Sequence, residues 1–132
     1  MKTIEQMLTE WEEASASSVP LSLLDLLSLR QGLISEEFLE VLEAFAVVQF
    51  DVMYLDEIRP GAKANLLKEL CDLVYVAVGT AVKLGLPFDE GFARVHENNM
   101  TKLVDGKIVR AENGKILKPK GYTPVDLSEI VK

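Results

Sequence analysis

The chain reads as all-α: a helical bundle completed by oligomerisation, with a small C-terminal β-hairpin or extended segment. Three features point there. Apolar residues recur at helical spacing through most of residues 3–100. The stretch DLVYVAVGTAV at 72–82 is apolar almost all round, so it must be buried on more than one side, and four helices from one subunit offer thin cover for it. After Leu103 the pattern changes to short β-friendly pieces beside Asp-Gly and Asn-Gly pairs.

Taken in order, Ile4, Met7, Leu8 and Trp11 mark a short amphipathic helix over 3–15, which SASSVPLS then interrupts with four serines and Pro20. From about Leu21 the positions Leu23, Leu26, Leu27, Leu33, Phe38, Val41, Leu42 and Phe45 continue a helical stripe, with Gly32 as a weak point inside it. The RPGA stretch at 59–62 is the clearest stop. Residues 63–84 form the most persuasive helix, closing at Leu84-Gly85. LPFDEGFARVHENNMTKL gives another, with Pro87 near its start. A hairpin turning at Asn113-Gly114 is expected next, then an extended tail through Pro119 and Pro124. A single domain over 1–132 is expected, divided into an N-terminal helix and linker (1–20), a helical core (21–103) and a basic hairpin and tail (104–132).

The 132 residues suffice for one modest core, and 48% hydrophobic with 27% charged residues is ordinary for a globular chain. No apolar run reaches the roughly 18–20 residues that span a bilayer. The N-terminus lacks the apolar stretch of a signal peptide. The lone Cys71 suits a reducing compartment, so a cytoplasmic location is expected. A net charge of −7 argues against a general nucleic-acid binder. That charge is uneven: residues 1–100 hold seven basic and seventeen acidic side chains, residues 101–120 six basic and two acidic. Such a basic segment suits phosphates or an acidic neighbour, or is simply solvated surface.

The chemistry concentrates in carboxylates. Glu37 and Glu40 share one helix face, with Glu36 adjacent, and Glu69 and Asp72 share a face of the later helix. Like charges three or four apart on a helix repel. Both groups lie in apolar surroundings, where uncompensated acids are heavily penalised. If the helices pack side by side, a hard divalent cation removes that penalty, and oxygen-only donors favour Mg²⁺, with Mn²⁺ as a substitute. Di-iron bundles use Glu-x-x-His pairs and zinc prefers Cys or His, whereas this chain has one His and one Cys. The alternative is that these acids simply face solvent.

The segment Glu36-Glu37-x-x-Glu40, then Glu69-x-x-Asp72 after 28 intervening residues, resembles the MazG-like all-α nucleoside triphosphate pyrophosphohydrolases, relatives of phosphoribosyl-ATP pyrophosphohydrolase and the dimeric dUTPases. The likeness extends to Arg30-x-x-Leu33-Ile34-x-Glu36-Glu37, Asp72-Leu-Val-Tyr75, Asn99-Met-Thr-Lys102 and Gly114-Lys115-x-x-Lys118, and covers about residues 20–122. It implies Mg²⁺-dependent conversion of a nucleoside triphosphate to monophosphate and pyrophosphate, for house-cleaning or pool control. It further implies Glu37, Glu40, Glu69 and Asp72 as metal ligands, with Glu36 holding or deprotonating the attacking water. Lys102 is assigned to phosphate on the same ground, and Asn99 to phosphate or sugar, with Asn98 as its substitute; a lysine stabilising a helix C-terminus is the plain alternative.

Tyr75 shares a face with Asp72 and either meets a ligand or packs in the core. Trp11 either packs under the bundle or walls a base pocket, and Arg30 faces an acid or a phosphate. Arg94 is a weaker candidate, Cys71 reads as an inert buried residue, and His96 as a surface or packing residue. The partners expected are a nucleoside triphosphate and a second copy in a homodimer, or further copies in a tetramer, with neither nucleic acid nor membrane. The other readings are the histidine-biosynthesis phosphoribosyl-ATP enzyme and a non-catalytic dimerisation or regulatory module.

One geometric expectation accompanies the site. At 1.5 Å per residue, about 27–29 Å of helix separates Glu40 from RPGA, against about 10–12 Å from there to Glu69. A plain hairpin would not bring the acids level. The first long helix is therefore expected to end or bend well before residue 59, leaving VVQFDVMYLDEIRPG (47–61) as a separate short helix or loop that covers the site or contacts a partner subunit.

Overall fold

A computed structural model describes residues 1–132, which form two compact units, Met1–Gly85 and Leu86–Lys132. The first unit holds α1 (Ile4–Ala14), α2 (Leu23–Leu55) and α3 (Pro60–Lys83). Thr3 opens α1 with a capping box: its hydroxyl accepts from the Gln6 N–H, and the Gln6 side chain accepts from the Thr3 N–H. Ser22 caps α2 by accepting from the Asp25 N–H at 3.1 Å.

The stop expected at RPGA is a start. Pro60 occupies the first position of α3, where its fixed φ is pre-organised and its missing N–H costs nothing. The break expected before residue 59 does not occur either, since α2 runs unbroken to Leu55 and passes through Gly32. Gly32 costs about 1 kcal/mol relative to alanine, too little to end a helix of 33 residues.

The acids nevertheless meet, because residues 56–59 are not helical. Asp56 turns the chain in the left-handed region (φ 57°) and Arg59 is extended. Extended residues advance about 3.3 Å each against 1.5 Å in a helix, so a few of them carry the chain back past the last turn of α2. Arg59 is tied there. The fully buried Asp51 carboxylate accepts from the Arg59 backbone N–H at 3.1 Å, from Nε at 2.9 Å and from Nη2 at 2.6 Å. Arg59 provides no side-chain cap to α3, and Asp51 places a negative charge at that helix start instead.

Helix α3 packs against both α1 and α2. The core is small: Leu8, Val41, Ala44, Val48, Ala62 and Val78. It includes a buried polar network. Arg30 from α2 donates from Nη1 to Glu12 Oε1 (3.3 Å), from Nε to Thr80 Oγ1 (3.0 Å) and from Nη2 to the Val76 carbonyl (3.1 Å), while Lys83 lies 3.5 Å from Glu12 Oε2. Gly79 makes room for it. A Cβ there would stand 2.6 Å from Arg30 Nη2 and 2.8 Å from Glu12 Oε1.

In the second unit, α4 (Phe88–Met100) is followed by an irregular tail. Leu127 and Ile130 lie over Gly91, and Arg94 pairs with Glu90 and Glu129, each at 3.0 Å. The expected β-hairpin is absent as strands. Only isolated bridges form, Val104 to Lys107 and Arg110 to Ile116, the latter around positive-φ Gly114. The turn chemistry is present, but two short pieces without a third strand rarely make a stable sheet. No single helix is long and apolar enough to cross a membrane.

Candidate metal centre

Glu37 and Glu40 project from α2 toward α3, and Glu69 from α3 returns toward them. One carboxylate oxygen from each lies within 4.8 Å of the other two. Glu69 is buried, and Glu37 and Glu40 are half-buried. Glu37 Oε2 and Glu69 Oε2 are buried with no hydrogen-bond partner. Two such oxygens in one cluster are costly unless a cation meets them. The Glu40 carboxyl responds by holding its proton: its pKa rises from 4.5 to about 7, first through the Glu37 carboxylate beside it, then through burial and Glu69.

Asp72 stands at the edge of this group. Its Oδ2 accepts from Lys68 Nζ at 2.9 Å, and the same ammonium reaches Glu69 Oε1 at 3.2 Å. Those two carboxylates, Asp72 first, raise the Lys68 pKa. Lys68 thus neutralises part of the cluster, a role overlooked in the sequence although its i,i+4 spacing to Asp72 was legible there. A cavity of about 400 Å³ opens beside the group, lined by Glu40, Glu43, Ala44, Val47, Asn65, Lys68 and Glu69. Glu36 is exposed: one residue before Glu37, it is rotated about 100° around the helix axis.

Other candidate residues fall in different places. Trp11 and Tyr75 form an edge-to-face pair with centroids 6.2 Å apart, and both rings remain half-exposed. Arg30 is buried and commits its donors to Glu12, Thr80 and the Val76 carbonyl. Cys71 is exposed rather than buried, lining an apolar cavity with Ile4, Met7, Leu70 and Val74. It lies on the flank of α3 that α1 only partly covers. In the second unit, Lys102 donates to Asn99 Oδ1 at 2.9 Å, whereas Asn98 fixes the tail, donating to the Thr123 carbonyl and accepting from the Tyr122 hydroxyl. His96 is exposed.

Oxygen-only donors on two facing helices, with unpartnered buried oxygens among them, are the equipment of the all-α nucleotide pyrophosphohydrolases, which in general depend on a divalent metal. The model of the phosphoribosyl-ATP pyrophosphohydrolase family matches residues 1–99, and the chain belongs to that family, within the MazG-like all-α superfamily. The chain is accordingly a pyrophosphohydrolase of nucleotides. The match spans all three helices of the first unit and nearly all of α4. A search of curated proteins found no match.

Proposed function

We propose that the chain hydrolyses (deoxy)nucleoside triphosphates to the monophosphate and pyrophosphate, with Mg²⁺ held by Glu37, Glu40, Glu69 and Asp72, in house-cleaning or control of the nucleotide pool. The observation that carries this reading is that Glu37 and Glu69, whose carboxylates come together with that of Glu40 from two helices, each keep a buried oxygen without a hydrogen-bond partner. When bound, a divalent cation supplies charge neutralisation at the phosphate oxygens and acidifies water. Glu36 takes the proton of the attacking water as the anhydride bond between the α and β phosphates breaks and pyrophosphate leaves. Lys68, which pairs with Glu69 and Asp72, would have to release them for a cation to be held there. Lys102 and Asn99 bind phosphate and sugar oxygens. Trp11 and Tyr75 offer aromatic surface to the base, and Arg30 positions α2 from within the core.

A homodimer, or a tetramer of such dimers, completes the bundle in this reading. Its support is the face of α2 bearing Phe38, Leu42, Phe45 and Val52, all exposed in one copy.

Pyrophosphate release from a panel of ribo- and deoxyribonucleoside triphosphates, with and without Mg²⁺, tests the activity. Glu69→Gln is expected to weaken Mg²⁺ binding and lower turnover by more than about 100-fold. Glu36→Gln is expected to lower kcat while calorimetric Mg²⁺ affinity stays unchanged. Turnover unaffected by Glu69→Gln would remove the ligand assignment. The matched family's own description favours a second reading, in which phosphoribosyl-ATP is the substrate and the metal chemistry is the same. Including phosphoribosyl-ATP in the panel decides between them, since the preferred substrate shows the higher kcat/KM.

A further inference from the structure

The basic tail holds its charges in an arrangement that the metal centre does not use. Lys102 Nζ lies 5.6 Å from the centroid of the Tyr122 ring, and Lys118 Nζ lies 5.5 Å from the same centroid. That ring is fixed: the Tyr122 hydroxyl donates to Asn98 Oδ1 at 2.7 Å, and the Asn98 amide donates to the Thr123 carbonyl at 2.8 Å. Lys102 is oriented further by Asn99 Oδ1. Ion pairs in this unit run through Arg94, and neither lysine is in one. A ring face attracts each ammonium without neutralising it. Two like charges gathered at one aromatic therefore retain their demand for an anion. Tyr122 also lines a cavity of about 430 Å³, together with Asn98, Thr101, Lys120 and Thr123, and Lys102 and Lys118 lie next in the chain to its lining residues Thr101 and Pro119.

We propose that Lys118 and Lys102 are the two prongs of a clamp for a condensed phosphate, with Tyr122 as the post that spaces them and Asn98 as the positioning residue that fixes the post. Lysine is a compact point charge suited to phosphate oxygens, and two held apart match a chain of linked phosphates better than a single one. The ligand is either the phosphate tail of the nucleotide or the released pyrophosphate. The assignment of that ligand rests on the nucleotide-hydrolysis reading, and it adds Lys118 to the binding residues, with Tyr122 and Asn98 as positioning residues.

Calorimetry on the full chain in EDTA tests the clamp without turnover. The probes are inorganic pyrophosphate, inorganic phosphate and a triphosphate with a non-hydrolysable α–β link. Lys118→Met is expected to weaken pyrophosphate or the triphosphate analogue about tenfold or more, while Lys118→Arg retains most of the affinity. Tyr122→Leu is expected to act like Lys118→Met, and Tyr122→Phe, which keeps the ring, to fall between. Inorganic phosphate binds more weakly than either condensed phosphate. Loss confined to the analogue identifies the nucleotide tail as occupant, and loss of both identifies pyrophosphate as a ligand in its own right. Lys118 is exposed, so an unchanged circular dichroism melt is expected to show that the variants fold. Affinities for both condensed phosphates that are equal in wild type and Lys118→Met overturn the clamp, even if nucleotides are hydrolysed. Lys118-dependent pyrophosphate binding without turnover of any nucleotide leaves the clamp standing and sinks the hydrolysis reading.

Discussion

Glu40 joins the candidate metal centre to the stability of the fold. Its pKa of about 7 in the folded chain lies above the ordinary 4.5, so the folded protein keeps a proton that the unfolded chain has released. For this group, the stability of the metal-free protein is greatest below the unfolded pKa. It falls as pH rises through the window from about 4.5 to 7, and levels off above it. Thermal melts in EDTA across that window are expected to show this decline, and Glu40→Gln to flatten it. A cation held by Glu40 would displace the proton, so on the proposed reading Mg²⁺ affinity is expected to climb with pH up to about 7 and then level, with proton release measurable by calorimetry in buffers of different ionisation enthalpy. The spacing of the carboxylates was legible in the sequence because helical periodicity places Glu37 with Glu40. The raised pKa of Glu40 was not, since burial and the approach of Glu69 from the other helix add to the effect of Glu37.

At the scale of elements, the hairpin of α2 and α3 was visible as two apolar periodicities, but its register was not. Counting residues at helical rise gave the wrong level for Glu40 against Glu69, because the advance of four non-helical residues and the Asp51–Arg59 tie are tertiary facts. Asp51 reads in the sequence as one more acid in an apolar stretch. The Arg30, Glu12 and Gly79 cluster was hidden for the same reason: these residues come from three different helices. Gly79→Ala tests it. Alanine would gain up to about 1 kcal/mol in helix propensity. Its Cβ would also collide with a guanidinium that donates to Thr80, Glu12 and the Val76 carbonyl, and with the buried Glu12 carboxylate. Overpacking and a disturbed buried pair outweigh the propensity, and a net loss of about 2 kcal/mol is expected in urea unfolding, with easier proteolysis of α1.

For the whole molecule, the imbalance between a core of six apolar residues and the apolar face left on α2 is the dominant fact. Fully burying a Phe or Leu side chain is worth about 1.5–3 kcal/mol, so Phe38, Leu42 and Phe45 together leave much stabilisation unclaimed in a single copy. Leu42→Glu with Phe45→Glu is expected to shift the protein to monomer in light-scattering chromatography and to lower its melting temperature. A monomeric wild type would remove the assembly reading. The greasiness of residues 72–82 marked burial on more than one side, and α3 packs against both α1 and α2 while Val74 and Tyr75 stay half-exposed. The tail was read less well, because Asn-Gly and Asp-Gly mark turns but do not supply the neighbouring strand that a sheet requires.

The tie between Asp51 and Arg59 makes α2 behave like a keyed shaft. One residue inserted between Glu40 and Asp51 would leave the key engaged and turn the carboxylates about 100° away from Glu69. Seven inserted residues would restore the angle but displace them about 10 Å along the axis. Neither chain should gain thermal stability from Mg²⁺, whereas the same insertions in the serine-rich stretch at 15–18, outside the hairpin, should leave that gain intact.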